Sequence, residues 1–214
     1  MNDYAKENYL HDWDHDRRMG HIYTLFYEEF ADRLKGHSLF LGCNTGSSLQ
    51  VLRTFGHDVI GLDINEKALE IARGRGCTVF RADVIIRIPA KDGRFDTILA
   101  FDFVEHIWLA DMPRLVRECA RVLRPGGTLL AFSPRTDSEK PSGVAMDAAH
   151  VQWFRTEEDF WGPWYGDLFE IEWVRRETRV NPGDRLPPKP RPDRRVSHPE
   201  LPRHDAWLML MVKK

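Results

Sequence analysis

The residues of this chain best placed to do chemistry gather around one bend. An apolar run, Leu39 to Leu41, breaks at Gly42, passes through Cys43, Asn44 and Thr45, reaches Gly46, and then meets Ser47 and Ser48 ahead of an apolar-periodic segment. That order reads as strand, tight turn and helix. Gly42 and Gly46 omit side chains where a ligand could approach the backbone, and Asn44 is the type that, after glycine, best tolerates a positive φ. A second apolar run, Val59 to Asp63, ends in an acid about 20 residues beyond Gly42, where open α/β sheets place a ribose ligand. A carboxylate accepts two hydrogen bonds and repels phosphate, so Asp63 suits a pair of ribose hydroxyls.

Spacing weakens the phosphate-binding alternatives. A dinucleotide fingerprint needs glycine at position 44 and a small residue, usually glycine, at 47, where Asn44 and Ser47 stand. A P-loop needs Lys followed by Ser or Thr after its last glycine, and no lysine occurs between Lys35 and Lys67.

Farther along, RADV places Asp83 after a short third strand, Thr78 to Arg81, and FDTILAFDFVEHI is followed by ARVLRPGGTLLAF. Together with LGCNTG and LDIN, these segments give the stretch from Leu39 to Pro134 a resemblance to the class I S-adenosylmethionine-dependent methyltransferases. The resemblance implies an α/β fold of the Rossmann-like kind: a seven-stranded, mostly parallel sheet with helices on both faces and an antiparallel last strand. It implies S-adenosylmethionine as cofactor, held by Gly42, Cys43, Asn44 and Gly46 in the turn, by Asp63 and Ile64 after the second strand, and by Phe101 at the end of the fourth. Asp83 would accept from the adenine amino group while the Val84 amide meets a ring nitrogen; the other reading of Asp83 is a turn cap. The segment YAKENY resembles the lead-in to an amino-terminal lid, which brings Tyr9 to the cofactor's carboxylate. Two departures stand out. Phe40 occupies the place of a common first-strand acid, and Asn44 that of the central glycine.

Methyl transfer from a sulfonium is an in-line displacement with a neutral leaving group, and orientation alone can lower such a barrier by roughly 7 to 11 kcal/mol. An oxygen or nitrogen acceptor also needs its proton removed, for which histidine suits neutral pH. By resemblance, His106 past the fourth strand and His150 before Trp153-Phe154 are the candidate bases. The Asn- or Asp-Pro-Pro-Tyr segment of amino-group methyltransferases of adenine or glutamine is replaced here by Asp102-Phe103-Val104-Glu105. There is also no Pro-Cys nucleophile, and no Asp-Asn pair beyond strand five as in the metal-dependent catechol type. A small-molecule acceptor, aromatic or acidic, is the expectation, with no metal. A non-catalytic protein that binds the same cofactor is the alternative, and a nicotinamide-dependent oxidoreductase on a similar sheet is a third.

The elements that must position these groups fit one core. The chain has 214 residues, 42% hydrophobic and 30% charged, with formal net charge -2. That balance points to neither a nucleic-acid partner nor a membrane. No signal peptide is read at the amino terminus, so the cytoplasm is the expected location. Cys43, Cys77 and Cys119 show no paired spacing. Residues 1 to 37 read as a helical lid and 38 to 214 as the methyltransferase domain, with loop insertions at about 134–155 and 179–205. Helices are expected at Ser47 to Phe55, after an Asn65 cap to about Arg73, at Met112 to Leu123 after an Asp111 cap, and from Thr156. Further strands are expected at Phe95 to Phe101, Gly127 to Ser133, Phe169 to Glu177 and Trp207 to Val212. Arg185, Arg191, Arg194 and Arg195 in the proline-rich loop read as a solvated linker or as an attractor for an anionic acceptor. Trp153, Phe154, Phe160, Trp161, Trp164, Tyr165 and Phe169 exceed what one short helix needs. Core packing accounts for most of them, and an acceptor slot or a homodimer contact for the rest.

Overall fold

A computed structural model of the chain describes residues 30, 33–34, 36–134, 152, 154, 156–164, 166–179 and 204–214. Strands β1 (His37–Leu41), β2 (Asp58–Asp63), β3 (Thr78–Arg81), β4 (Phe95–Phe101), β5 (Leu123–Pro134), β6 (Phe169–Arg179) and β7 (His204–Lys213) form one sheet. Its order is β3-β2-β1-β4-β5-β7-β6. The pairs β1–β2, β2–β3, β1–β4 and β4–β5 are parallel, and β7 runs antiparallel to both β5 and β6. The expected sheet is therefore observed, its antiparallel last strand wedged between β5 and β6. Strand order reverses direction between β1 and β4, which opens a crevice at their carboxyl ends.

Both faces of the sheet are covered, and the strand residues divide between them with period two. Leu39, Leu41, Ile98, Ala100, Leu129 and Ala131 share a core with Met112, Leu115 and Cys119 of α3 (Met112–Val122) and with Phe160 of α4 (Glu157–Trp161). Phe40, Leu99, Phe101, Leu130 and Phe132 face the opposite core, shared with Leu49 and Leu52 of α1 (Ser47–Thr54) and Leu69 and Ala72 of α2 (Glu66–Gly74). Phe30 and Leu34 join that second core, Phe30 stacking on Trp173 of β6 at 5.6 Å between centroids. Arg33 forks onto Glu172 beside it.

Local signals explain most boundaries. Asn65 caps α2, its side-chain oxygen accepting from the Lys67 and Ala68 amides. Thr156 and Asp159 close a reciprocal capping box on α4. Asp111 stands at the head of α3 as expected, but its side chain makes no capping bond. The segment Arg124-Pro125-Gly126-Gly127, expected to separate helix from strand, lies within β5. Leu123 already pairs with Phe95, and the register slips before Thr128 meets Thr97. Strands β6 and β7 extend beyond the expected limits, since each supplies the other's ladder. Most of the proposed aromatic slot is core: Phe154, Phe160, Trp164 and Phe169 are buried, while Trp153 and Tyr165 lie outside the described residues. The four arginines of the proline-rich loop, the amino-terminal lid and the 134–155 insertion fall wholly or largely outside them as well. Among the described residues no helix is long and apolar enough to cross a membrane.

A polar clamp holds the connection from β3 to β4. Arg121 donates to Glu118, Asp92, Ala90 O and Ile88 O, and Glu118 also accepts from the Ile88 amide at 2.8 Å. The Arg121 hydrogen bond holds the Glu118 carboxyl below its ordinary value of 4.5, against the opposing pull of burial. A carboxylate of this kind stabilises the fold fully above the unfolded value and loses that contribution as pH falls through the folded one. In urea unfolding, Glu118→Gln is expected to cost about 1.5 to 3 kcal/mol at pH 7, with the gap to wild type closing as pH drops below about 4.5. A gap that stays constant from pH 7 to pH 3 would show that the clamp does not depend on the charge.

Candidate functional site

The glycine turn lies at the carboxyl end of β1, beside the crevice, and is built from left-handed backbone. Gly42 has φ 67, Asn44 φ 45 and Gly46 φ 83. The ladder between β1 and β2 runs into it: the Cys43 amide donates to Leu62 O at 3.0 Å. One residue later a side chain takes over, and Asp63 Oδ2 accepts from the Asn44 amide at 2.8 Å. The other oxygen of Asp63 accepts from the Asn65 amide at 2.9 Å. From the far side, Arg75 donates to Thr45 O, Thr45 Oγ1 and Ser47 Oγ, each at 2.9 Å. The turn is thus fixed between an acid on β2 and a base just past α2.

The two glycines do different jobs. A Cβ on Gly46 would meet Cys77 Sγ at 2.9 Å and Ala72 Cβ at 3.0 Å, so this position is bare to let α1 start close to α2. The expectation that Gly46 clears space for a ligand is corrected accordingly. A Cβ on Gly42 would instead meet the Phe103 ring, which comes from the neighbouring strand end. Cys43 is buried against Gly61. Burial, and then the charge of Asp63, push its thiol far above the ordinary range, so it is not a nucleophile at neutral pH.

The other expected cofactor residues reach the crevice to different degrees. Ile64 is half-buried immediately after Asp63, and its carbonyl accepts from Arg81. Asp83 Oδ1 accepts from the Ile85 amide at 3.1 Å, while its carbonyl accepts from Ile86 and Arg87. The turn-capping role is therefore real, and it occupies only one carboxylate oxygen. Val84 is buried. The Phe101 side chain does not face the crevice. Its ring lies between Phe40 and Phe132, at 6.0 and 5.8 Å, in the core under α1, so only its backbone is offered at the strand end. Phe40 is part of the same stack, which shows what replaced the first-strand acid. Tyr9 lies outside the described residues.

Beyond β4 the chain turns sharply. Asp102, at φ 47, is with Asn44 the pair of non-glycine residues holding a left-handed backbone among the described residues. Such conformations cost about 1 to 3 kcal/mol each and collect at functional sites. The two flank the β1–β4 crevice. A single turn of 3-10 helix, Val104–His106, follows, with His106 buried and its amide donating to Phe103 O at 3.1 Å. Glu105 is buried beside it and accepts from Ser133 Oγ at 2.8 Å, linking the ends of β4 and β5. Gln152 clasps this turn: its amide donates to Glu105 O at 3.0 Å, and its side-chain amide donates to the Val104 and Ile107 carbonyls. His150, two residues earlier, lies outside the described residues.

The sequence placed Asp102, Phe103 and Glu105 just past the fourth strand but gave them no role, and it did not single out Ser133 or Gln152. Ser133, a polar residue closing an apolar strand, was the signal available for the Glu105–Ser133 pair. A groove lined by Arg87, Pro89, Ala90, Lys91, Asp92 and Arg121 lies toward the amino ends of β4 and β5. It is part of the Arg121 clamp and does not reach the crevice.

A methyltransferase-domain family model matches residues 39–131. A probable S-adenosylmethionine-dependent methyltransferase of Mycolicibacterium smegmatis is 31% identical over 121 residues, 56% of this chain and 46% of that relative. A ubiquinone biosynthesis O-methyltransferase of Sinorhizobium fredii is 36% identical over 122 residues, covering 54% of this chain and 48% of the relative. A probable tRNA methyltransferase 9B of Mus musculus is 36% identical over 96 residues, covering 43% and 20%. The chain spans about half or less of the length of these curated relatives. Its fold is similar to that of an S-adenosylmethionine-dependent methyltransferase from Archaeoglobus fulgidus, with TM-score 0.65 and 17% identity over 95% of this chain and 100% of that one. Strand order, the acid-tethered turn and the matched span agree: residues 39–131 match the methyltransferase-domain family model, on a sheet similar to that of the S-adenosylmethionine-dependent methyltransferases.

Proposed function

We propose that this chain transfers a methyl group from S-adenosylmethionine to an oxygen or nitrogen atom of a small-molecule acceptor. The observation that carries the reading is the turn at the β1–β4 crevice, held open in left-handed backbone by Asp63 and lined by a hydrogen-bond acceptor in need of a donor. Asn44 Oδ1 is buried and has no hydrogen-bond partner among the described residues. Leaving a buried polar atom unpaired costs about 1 to 3 kcal/mol, so a bound amine or hydroxyl would stabilise it.

The donor set fits this cofactor. An ionised carboxylate accepts several hydrogen bonds, and Asp63, which takes the Asn44 and Asn65 amides at the carboxyl end of β2, is the acid we assign to the ribose hydroxyls. Asp83 keeps one oxygen for the adenine amino group, with the Val84 amide at the ring and Ile64 against its face. When bound, the cofactor supplies an electrophilic methyl group on a sulfonium. The chain's share is to orient that group, exclude water and take the acceptor's proton, which we assign to His106, with His150 as the other candidate base. The acidic balance of the chain, net charge -2, favours a small acceptor over a polyanion. The tRNA methyltransferase relative supplies the competing acceptor class.

Isothermal titration should show S-adenosylmethionine binding and no binding of nicotinamide dinucleotides. Asp63→Ala should weaken binding by about 1.5 to 3 kcal/mol for each charged hydrogen bond lost; unchanged affinity would remove Asp63 from the ribose site. Incubation with labelled cofactor and parallel panels of phenols, amines, carboxylates and bulk tRNA should label a small molecule. Label in tRNA alone would contradict the acceptor assignment. With the acceptor found, His106→Gln should lower kcat by about 10² to 10⁴ and abolish the acidic limb of the kcat–pH profile, leaving cofactor affinity intact. A kcat within threefold of wild type would exclude His106 as the base.

A further inference from the structure

The ring of Phe103 occupies a position that no motif assigns. Phe103 follows the left-handed Asp102 at the end of β4, and the turn there sends its side chain across to β1. A Cβ on Gly42 would sit 2.6 Å from Phe103 Cδ2 and 3.4 Å from Cγ and Cε2. The ring therefore rests directly on the bare backbone of the glycine turn, at the point where strand order reverses. It packs against the core beneath but stays half-buried, unlike Val104, Glu105, His106 and Ile107 after it. Its carbonyl accepts the His106 amide, so one residue touches the turn assigned to the cofactor and the helical turn that carries the assigned base.

A sulfonium has no N–H or O–H to donate, so apart from weak C–H···O contacts hydrogen bonds do little to distinguish it from the neutral thioether left after transfer. An aromatic face can, because its quadrupole attracts a cation and not a neutral sulfur. We propose that Phe103 is the aromatic wall of the transfer centre: seated on Gly42 between the cofactor turn and His106, its ring faces the sulfonium of the bound donor and gives the charged donor preference over the demethylated product. This inference rests on the methyltransferase reading above. It also accounts for the strain at Asp102, which aims the ring, and for a glycine at 42, where any side chain would displace it.

The test is isothermal titration of wild type, Phe103→Leu, Phe103→Met and Phe103→Tyr with S-adenosylmethionine and with S-adenosylhomocysteine, the unliganded Tm of each checking its fold. Leu and Met keep most of the volume without a π face, whereas Tyr keeps the ring. The expected result is a loss of preference for the sulfonium by roughly 2- to 30-fold in both aliphatic variants, arising in the donor's Kd, with Tyr retaining the wild-type ratio. An unchanged ratio in Leu and Met, or a parallel tightening of both ligands as from a removed plug, would overturn the inference while leaving the methyltransferase reading intact. Failure of wild type to bind either ligand would overturn that reading, and the inference with it.

Discussion

The Asp63 carboxylate accepts one amide from the glycine turn and another from the residue that caps α2, and the geometry of the crevice depends on that pair of hydrogen bonds. Parallel pairing holds β1 to β2 as far as Leu41 and Leu62, and the Cys43 amide adds one further rung. Gly42 just before that rung and Asn44 and Gly46 beyond it take the chain out of the sheet in left-handed backbone, a path that only a strong local tether makes unique. A charged acceptor on the neighbouring strand supplies the tether, since hydrogen bonds to ionised groups are about twice as strong as neutral ones. Arg75 completes it from the opposite side. The outcome is a concave backbone fixed before any ligand arrives, so that little ordering cost falls on binding.

The crevice has two banks with different chemistry. The β1–β2 bank is polar backbone, a buried amide oxygen on Asn44 and carboxylates at 63 and 83, suited to a ligand with hydroxyls and amines. The β4–β5 bank carries an aromatic ring, a buried imidazole and the buried Glu105–Ser133 pair, clasped by Gln152. Buried polar groups in such a network fix one arrangement of the turn that bears them. A donor lying on the first bank and an acceptor approaching the second would meet at Phe103, the side chain that spans both.

How much of this the sequence disclosed follows from the range of the interactions involved. Strands β1 to β4 and helices α1 to α3 were legible because caps, glycines and apolar runs are local signals. Asn65 and Thr156 were readable as caps for that reason, and Asn44 as a residue fit for positive φ. The ends of β6 and β7 were not, because a ladder between strands far apart in the chain sets their length. The seat of Gly46 and the side taken by the Phe101 ring were not legible on the same ground: whether a bare α-carbon faces a ligand or a neighbouring helix, and which side of a sheet a ring takes, depend on packing partners elsewhere in sequence. Asp83 illustrates a middle case, where the turn cap is seen on one oxygen and does not of itself exclude the other reading.

The central claim is that the turn at 42–46 and the acids at 63 and 83 form the cofactor's seat. Titration of ¹⁵N-labelled protein with S-adenosylhomocysteine, followed by amide chemical shifts, tests it most directly. The account predicts the largest shifts at Gly42, Asn44, Ile64, Val84, Asp102 and Phe103, with His57 and Gly93 at the far end of the sheet unmoved. Shifts centred instead on Arg87 to Asp92, or no saturable shifts in a folded sample, would contradict it.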